Sequence, residues 1–402
     1  MHPRELSIHD FTYDLPDERI ARHPLAERDA SRTLLYRDGS IEDRHFRELP
    51  ELLPDSALLV LNDTRVVRAR LLFRRATGAL LEFMVLDPAD GRTMEVALLD
   101  KGPSRWWCMV GNAKRWKGEE LTCEHEGQVL TARRIDHRDG EHLIEFTWKS
   151  DGAFVDVLRH MGTVPLPPYM RREAMPADTT RYNTVFAAHD GSIAAPTASL
   201  HFSEDVLKGL ERRGIRTTRI TLHVGAGTFL PVKSERMEHH AMHSEQVRVP
   251  LEALKQLRAQ LGTGPIVPVG TTALRTLESV YWHGVMLLQG RAAAHMLIDQ
   301  WEPYAHTTTE LPSTAAALDA VIASVERYGS PLSGTTALMI APGYTFKLAD
   351  ALVTNFHQPQ STLLLLVAAF VGPDWRRVYD HALAHGYRFL SYGDGSLLFR
   401  VR

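Results

Sequence analysis

The stretch Thr221-Leu222-His223-Val224-Gly225-Ala226-Gly227-Thr228-Phe229 combines the pattern of a strand with the turn that ends it. Apolar and β-branched residues lead into it from Arg219, and the pattern stops at two glycines spaced by one residue. Glycine at the end of a strand permits positive φ and lets a ligand approach the bare backbone. The stretch therefore predicts a strand followed by a loop, with His223 beside whatever the loop admits.

A second segment of the same kind is Val267-Pro268-Val269-Gly270-Thr271-Thr272, which precedes a predicted helix carrying Arg275 and Glu278. Two such strand ends predict a small-molecule site at the carboxyl ends of neighbouring strands. Hydroxyls and backbone N–H groups at a helix N-terminus suit a carboxylate or phosphate. The segment lacks the Gly-Lys-Ser/Thr of a P-loop, which disfavours a nucleoside triphosphate. Simple capping of the helix by Thr271 or Thr272 is the alternative.

Composition limits the class of protein. The 402 residues are enough for two domains, and 44% apolar with 24% charged residues is ordinary for a globular protein. A net charge of −3 gives no overall attraction to nucleic acid, so RNA binding requires a local basic patch.

Two cysteines, Cys108 and Cys123, fit a reducing cytoplasm. The longest apolar run, Leu363 to Val371, is about half a membrane span and predicts a buried strand or core helix. We expect a cytoplasmic protein without a signal peptide or membrane contact.

The pattern of predicted strands and helices changes at two points in the chain. Short alternating runs separated by Gly, Asp and Lys fill the region from Val66 to Lys149: Ala79 to Val85, Met94 to Leu98, Trp106 to Val110, Gln128 to Arg133 and His142 to Trp148. The flanking segments alternate predicted strands and helices, and residues 283–334 interrupt that alternation as an insertion. We predict an α/β fold in which a large discontinuous α/β domain, residues 1–65 and 151–402, holds an inserted small antiparallel β-barrel domain at 66–150.

Histidines mark further candidate sites. His201 lies in the small polar loop from Ala194 to Phe202, and His357 lies in the polar turn from Asn355 to Thr362. Each segment is equally typical of a cavity loop or of a surface turn. His239, His243 and Glu245 are the best metal candidates, because a four-residue spacing puts two imidazoles on one helix face. No glutamate lies between these histidines as a zincin requires, and a satisfied polar turn is the alternative.

Basic and aromatic residues alternate near the start of the predicted barrel and suit RNA backbone contact and base stacking: Arg65, Arg68, Arg70, Arg74, Arg75, Lys101, Arg105, Lys114, Arg115 and Lys117, among Trp106, Trp107 and Trp116. Glu119, Glu120, Glu124 and Glu126 follow at once, so a solvated strand face is an equal alternative.

Taken together, these segments resemble the S-adenosylmethionine:tRNA ribosyltransferase-isomerase family of queuosine biosynthesis. The matching stretches keep the family's order over nearly the whole chain: Asn62–Val66, Pro165–Tyr169, Ala195–Thr197 with Leu200–Phe202, Thr221–Phe229, His240 with Met242–Glu245, Val269–Thr272 with Arg275 and Glu278, Pro342–Tyr344, Thr354–His357 and Ser391–Asp394.

The resemblance implies a large α/β domain with an inserted β-barrel. It implies transfer and isomerisation of the ribosyl group of S-adenosylmethionine onto 7-aminomethyl-7-deazaguanine at the wobble position of tRNA. The products are epoxyqueuosine-tRNA, adenine and methionine. S-adenosylmethionine is a cosubstrate, and neither a metal nor a redox cofactor is expected. We expect the partner to be tRNA and the protein to be a monomer.

The resemblance marks proton-transfer and substrate-binding candidates, without saying which residue is the base. The proton-transfer candidates are His201, His223, Glu278 and His357. The substrate-binding candidates are Asn62, Arg65, Pro196, Thr197, Gly225, Gly227, Thr228, Phe229, Gly270, Thr271, Thr272, Arg275, Tyr344, Asn355, Tyr392 and Asp394.

Three other interpretations stay open. Asp63, Arg68 and Ser199 depart from the family's usual Asn, Pro and Gly, which suits a divergent member acting on a related acceptor. A metal-dependent hydrolase would use His239, His243 and Glu245. A non-catalytic RNA-binding protein would have no need of the two Gly/Thr turns.

Overall fold

The computed structural model describes residues 2–138, 140–225, 227, 232, 234–306, 310–329 and 331–400. The strands of these residues are β1 (Arg32–Arg37), β2 (Ser40–His45), β3 (Leu58–Asn62), β4 (Thr64–Val66), β5 (Arg70–Arg74), β6 (Leu80–Pro88), β7 (Ser104–Gly111), β8 (Leu121–His125), β9 (Gln128–Arg138), β10 (Glu141–Trp148), β11 (His189–Ser192), β12 (Arg216–His223), β13 (Glu245–Val249), β14 (Ile266–Pro268), β15 (Met296–Ile298), β16 (Leu332–Thr336), β17 (Ala351–Asn355) and β18 (Gly395–Phe399).

The α-helices are α1 (Leu49–Leu52), α2 (Met94–Ala97), α3 (Phe154–Met161), α4 (Asp178–Arg181), α5 (Glu204–Arg212), α6 (Leu251–Gln260), α7 (Thr271–Leu288), α8 (Thr314–Tyr328), α9 (Thr362–Val371) and α10 (Trp375–Ala384). In the described part of the chain, none of them combines the length and hydropathy that crossing a membrane requires.

The main sheet has the strand order β14-β3-β12-β13-β16-β15, in which β14, β3 and β12 are parallel to one another. Successive side chains of a strand point to opposite faces. Leu58 and Val60 of β3 accordingly belong to one hydrophobic cluster, and Leu59 and Leu61 belong to another. Both faces of this strand are covered, which explains why its sequence is continuously apolar.

A second sheet, β17-β18-β1-β2, continues the main sheet at its β14 edge. Val269, just after β14, forms a parallel bridge with Val353 of β17, and the Gly270 N–H donates to the Val353 carbonyl at 2.7 Å. The carboxyl ends of β3, β12, β14 and β17 therefore meet at one edge, where the loops that follow them can share a site.

The small β-rich part is an antiparallel sheet with the order β5-β6-β7-β10-β9-β8. The Arg75 guanidinium, just after β5, bonds the Glu119 carboxylate and the Arg115 carbonyl, just before β8. These bonds draw the first and last strands together, so the sheet is a nearly closed barrel. It has its own core, which includes Phe83 and Trp106. The predicted fold, α/β with an inserted antiparallel β-barrel, is confirmed.

Two local predictions were wrong. Met94 to Leu98 is not a strand but contains α2, which Thr93 caps by accepting from the Val96 N–H at 3.4 Å. A short apolar run does not distinguish the two periodicities, and the capping side chain decides between them. Residues 283–334 are not a separate insertion, because α7 continues through Leu288 and β15 and β16 extend the main sheet. The apolar run Leu363 to Val371 lies in α9, a buried helix.

Candidate active site

A large cavity opens where the parallel strands end, and we call it the central cavity. It encloses about 1160 Å³ of empty space, including the space open to solvent. Its lining includes these sequence candidates: Pro196, Thr197, Gly227, Gly270, Thr271, Thr272, Arg275, Asn355 and His357. Three motif segments that are distant in the chain, around residues 197, 271 and 356, therefore share one wall.

The N-terminus of α7 forms one side of the central cavity. Gly270 has φ +92°, a conformation that favours glycine, and no side chain caps the helix. The first N–H groups of a helix have no partner within it, so those of Thr271 and Thr272 are available to an anion. The Asn62 amide lies 3.4 Å from Thr272 Oγ1 and donates to the Leu222 carbonyl at 3.0 Å. Asn62 thus positions the helix start without lining the cavity.

A buried ion pair forms another side. The Arg275 guanidinium bonds the Glu245 carboxylate, and both side chains line the central cavity. Burial lowers the pKa of Arg275 to about 10, so its guanidinium is still charged at neutral pH. The pair places one positive and one negative charge at the wall of the cavity. Such a wall suits a ligand that carries both charges.

The metal candidates do not come together. His239 is exposed and lies 3.5 Å from the Glu238 carboxylate, while Glu245 is committed to Arg275. The His243 ring packs on Gly227, where an added Cβ would lie 2.1 Å from Cδ2 of that ring. Within the described residues, only Asp43, His381 and His385 place three potential ligand atoms within 4.8 Å of one another. The structure gives no support to the hydrolase interpretation.

Of the four proton-transfer candidates, His357 is the one that lines the central cavity, which His240 and His243 also line. Its Nε2 lies 2.9 Å from Thr354 Oγ1, and its backbone N–H donates to the Tyr379 hydroxyl at 3.1 Å. The Tyr13 hydroxyl bonds its carbonyl. No described residue bonds its Nδ1. Burial lowers the pKa of His357 to about 3, so the ring is neutral at physiological pH.

His201 does not line the central cavity, but it is hydrogen-bonded to Asn355, which does. Thr197 Oγ1 donates to Asn355 Oδ1 at 2.8 Å, and Asn355 Nδ2 donates to His201 Nε2 at 3.1 Å. This relay fixes Asn355 and makes Nδ1 the protonated nitrogen of a neutral His201. Burial, assisted by the charges of Arg388 and Arg28, lowers the pKa of His201 to about 3.

His223 lies outside the central cavity, at the junction with the barrel. Its Nδ1 is 2.8 Å from Thr64 Oγ1, and its Nε2 is 4.0 Å from the Glu95 carboxylate of α2. Its ring packs against Gly191, where an added Cβ would lie 2.7 Å from Cε1. Burial, with a smaller effect of His189, lowers the pKa of His223 to about 4.

Glu278 is fully buried in the second turn of α7, and its carboxylate faces a loop rather than the cavity. It accepts from the N–H groups of Lys347, Leu348 and Ala349 at 2.8 to 3.2 Å. The Tyr344 hydroxyl also donates to it, at 2.8 Å. Burial raises the pKa of Glu278, and the four donors oppose that effect. Glu278 and Tyr344 therefore order the loop behind the site.

The other sequence candidates contact protein groups outside the cavity wall. Arg65 donates to the Ala187 carbonyl at 2.6 Å, and the Tyr392 hydroxyl donates to Asp178 at 2.9 Å. Asp394 accepts from the backbone N–H groups of Arg32 and Arg388 at 3.0 and 2.8 Å. Gly225 is half-buried and does not line the cavity. Thr228 and Phe229 lie outside the described residues.

Two hydroxyls of the central cavity were missed from the sequence. The Tyr169 and Ser391 side chains bond each other, and both line the cavity. Each lies in a matching segment: Ser391 is next to the candidate Tyr392, whereas the segment of Tyr169 supplied no candidate. Membership of a matching segment was the one sequence signal that pointed to Tyr169 and Ser391. Which of two adjacent residues faces a ligand is decided only by packing.

Comparison with known proteins identifies the family. Residues 8–398 match the family described as queuosine biosynthesis protein. A relative from Anaeromyxobacter sp. (strain Fw109-5), named S-adenosylmethionine:tRNA ribosyltransferase-isomerase, is 40% identical over 98% of this chain and 100% of its own. A relative of that name from Azoarcus sp. (strain BH72) is 40% identical over 98% of each chain. The solved S-adenosylmethionine tRNA ribosyltransferase of Thermotoga maritima is 30% identical over 97% of this chain and 100% of its own, with a TM-score of 0.46. This chain therefore belongs to the queuosine biosynthesis protein family.

Proposed function

We propose that this protein is an S-adenosylmethionine-dependent tRNA ribosyltransferase-isomerase. It transfers and isomerises the ribosyl group onto 7-aminomethyl-7-deazaguanine at the tRNA wobble position, giving epoxyqueuosine-tRNA, adenine and methionine. The observation that carries the proposal is the convergence of three motif segments, around residues 197, 271 and 356, on one cavity. The names of full-length relatives that are 40% identical support the same reaction.

We assign proton abstraction to His357. A sulfonium acidifies the adjacent 5′-carbon of the ribose, and a neutral imidazole can accept that proton. His357 lines the central cavity and stays unprotonated at neutral pH because it is buried. A pKa of about 3 makes it a weak base, but also keeps a second positive charge away from the sulfonium. Its bond to Thr354 holds the ring in one orientation.

The cavity walls suit the rest of the cosubstrate. The uncapped N-terminus of α7 at Thr271 and Thr272 offers N–H groups and hydroxyls to the methionine carboxylate. Glu245 of the buried ion pair offers a carboxylate to the methionine ammonium. The small side chains of Ala194, Ala195 and Ala198 leave room for the adenine ring. His201, His223 and Glu278 act as positioning residues in this proposal, since none of them lines the central cavity.

The same proposal includes the setting of the reaction. Its macromolecular partner is tRNA, it acts as a monomer in the cytoplasm, and it requires no metal. Residues 66–150 form the inserted domain and the flanking segments form the catalytic one. The separate hydrophobic cluster of the barrel, which contains Phe83 and Phe146, supports that division.

The test is incubation of the purified protein with S-adenosylmethionine and tRNA bearing the aminomethyl-deazaguanine. Stoichiometric release of adenine and methionine is expected, with loss of the primary amine from the tRNA. Transcripts with guanine at the wobble position are the substrate control, and His239→Ala, at an exposed histidine, is the protein control. Absence of adenine, under conditions where a relative of the same family releases it, would overturn the proposal.

A further inference from the structure

A second pocket lies beside the central cavity, and we call it the arginine pocket. Its empty space, including the space open to solvent, is about 270 Å³, and its lining includes Arg28, Arg181, Arg388, His201 and Tyr392. Ser391 lines both this pocket and the central cavity. A ligand that occupied both the arginine pocket and the central cavity would therefore pass beside Ser391.

Two of the three arginines have no carboxylate partner. Arg28 donates to the carbonyls of Leu200 and Thr180 at 3.0 and 2.9 Å. Arg181 likewise donates to the carbonyls of Ala26 and Leu25, at 3.0 and 2.7 Å. Neither guanidinium forms an ion pair with any described residue. Carbonyls orient these groups but do not cancel their charge, so two half-buried cations keep their full charge in a concave site.

The third arginine, unlike the other two, has a carboxylate partner. Arg388 lies 3.4 Å from the Asp394 carboxylate, which also accepts two backbone N–H groups. Burial, and to a smaller extent the charge of Arg181, lowers the pKa of Arg28; burial likewise lowers the pKa of His201, with smaller contributions from Arg388 and Arg28. The cations therefore lie close enough to repel one another. Such an arrangement is stabilised by an anion bound between them.

The hydrogen-bonding groups of the pocket point to the same ligand class. Because His201 Nε2 accepts from Asn355, its Nδ1 carries the hydrogen and is a donor. No described residue accepts from that Nδ1. The Tyr392 hydroxyl is already committed to Asp178. The groups left for a ligand are thus N–H donors from guanidinium and imidazole, which match the oxygens of a phosphate.

Three basic residues of the barrel do have carboxylate partners. Arg70 pairs with Glu82 at 2.7 Å, and Arg105 pairs with Glu145 at 2.8 Å. Arg75 pairs with Glu119. These three members of the barrel patch that the sequence suggested for RNA are therefore neutralised, whereas Arg28 and Arg181 of the arginine pocket are not.

We propose that the arginine pocket binds one backbone phosphate of the tRNA substrate, next to the nucleotide whose base enters the central cavity. This inference rests on the proposed function for its choice of RNA. The pocket adjoins the cavity at Ser391, and His201 and Asn355 join the two by a hydrogen bond. Phosphate binding against His201 would hold Asn355 in the cavity wall, so binding of tRNA would organise the site.

The experiment measures equilibrium binding of the full-length protein to a tRNA transcript between 50 and 200 mM KCl, values chosen to span the range where phosphate contacts respond to salt. Arg388→Gln is expected to weaken binding about tenfold and to reduce the slope of log Kd against log salt by about 1. Arg327→Gln, at an exposed position on α8, is the matched control and should bind like the original protein. Circular dichroism and thermal melting verify folding of each variant.

A charge-retaining variant and a phosphate competition experiment test whether the effect of Arg388→Gln comes from a phosphate contact. Arg388→Lys should restore most of the salt slope, because it retains the charge. Inorganic phosphate, titrated at constant ionic strength, should displace tRNA from the original protein more readily than from Arg388→Gln. The variant should also raise the KM for tRNA and leave the KM for S-adenosylmethionine unchanged.

Binding and salt slope unchanged in both Arg388→Gln and Arg181→Gln would overturn the phosphate pocket, even if the protein releases adenine. Weakened binding without adenine release would instead overturn the proposed reaction and leave the pocket standing. The two proposals therefore fail separately.

Discussion

The central cavity and the junction with the barrel each hold a buried histidine at or just after the carboxyl end of a strand, β17 for His357 and β12 for His223. His357 and His223 both bond a threonine hydroxyl, Thr354 at 2.9 Å and Thr64 at 2.8 Å. Burial lowers the pKa of both, to about 3 and about 4. Only His357 lines the cavity, while His223 packs against Gly191 and faces Glu95 of the barrel.

This comparison shows that the same local chemistry serves two purposes. A buried imidazole next to a ligand can exchange a proton with it, but one packed between two parts of the protein holds them together. What distinguishes them is the neighbour on the far side of the ring. We therefore assign His357 to chemistry and His223 to docking of the barrel, and the following variants test that assignment.

The largest effect is expected from His357→Ala. Removing the proton acceptor should lower single-turnover adenine release by about 10³, within the range typical of general-base catalysis. His223→Gln is the matched control, and it should lower the same rate less than about tenfold because its ring does not reach the cavity. Thermal melting checks that both variants fold. If His223→Gln lost the larger share of activity, the assignment would be reversed.

Gly191→Ala should produce the next effect, on stability. Its φ is +151°, and an added Cβ would lie 2.7 to 2.9 Å from three atoms of the His223 ring. Strain and overpacking together should cost about 2–3 kcal/mol in the free energy of unfolding, measured by urea denaturation.

A useful control for that variant is Gly214→Ala, which also has positive φ but open space around the added methyl. It should cost only about 1 kcal/mol, the conformational part alone. Equal losses at Gly191 and Gly214 would show that contact with His223 contributes nothing.

The smallest expected effect is the stability that the protein loses at acid pH because His357 and His223 become protonated on unfolding. Both histidines have pKa values of about 3 to 4 in the folded protein, against 6.5 as the ordinary value. The unfolded chain therefore binds protons first as pH falls, so their stabilisation is complete above pH 6.5 and is lost toward the folded pKa.

Each histidine should contribute about 2 kcal/mol to the stability lost between pH 8 and pH 5. His357→Gln and His223→Gln should each remove a similar share of that loss, measured by urea denaturation at both pH values. A variant that kept the full acid sensitivity would show that its histidine is already charged in the folded protein.

Much of the fold was predictable because it depends on short-range patterns. The strand pattern of β12 and the Gly/Thr turn before α7 identified their own elements from the residues they contain. Met94 to Leu98 was misassigned, since five residues are too few to separate the periods of helix and strand. Strands β15 and β16 were missed because β16 pairs with β13, which is distant in sequence, and the edge strand β15 pairs only with β16.

The candidate site was less predictable from residue types. His357, Thr271 and Asn355 were selected as candidates, and the structure brings them to one cavity. His223 and Glu278 have the same polar character in the sequence, but their side chains are held by the barrel and by a loop. Tyr169 and Ser391 were passed over, because adjacent residues of a turn differ in direction only once the chain is packed.

By itself, the sequence determined the class of fold, the separate β-rich segment and the chain segments from which the site is built. These follow from periodicity, turn residues and motif order, all of which are local properties. Only the tertiary structure decided which histidine meets a ligand and which arginines lack a carboxylate. Both depend on neighbours that are distant in the chain, since charge compensation and access to a cavity arise only when strands and loops pack together.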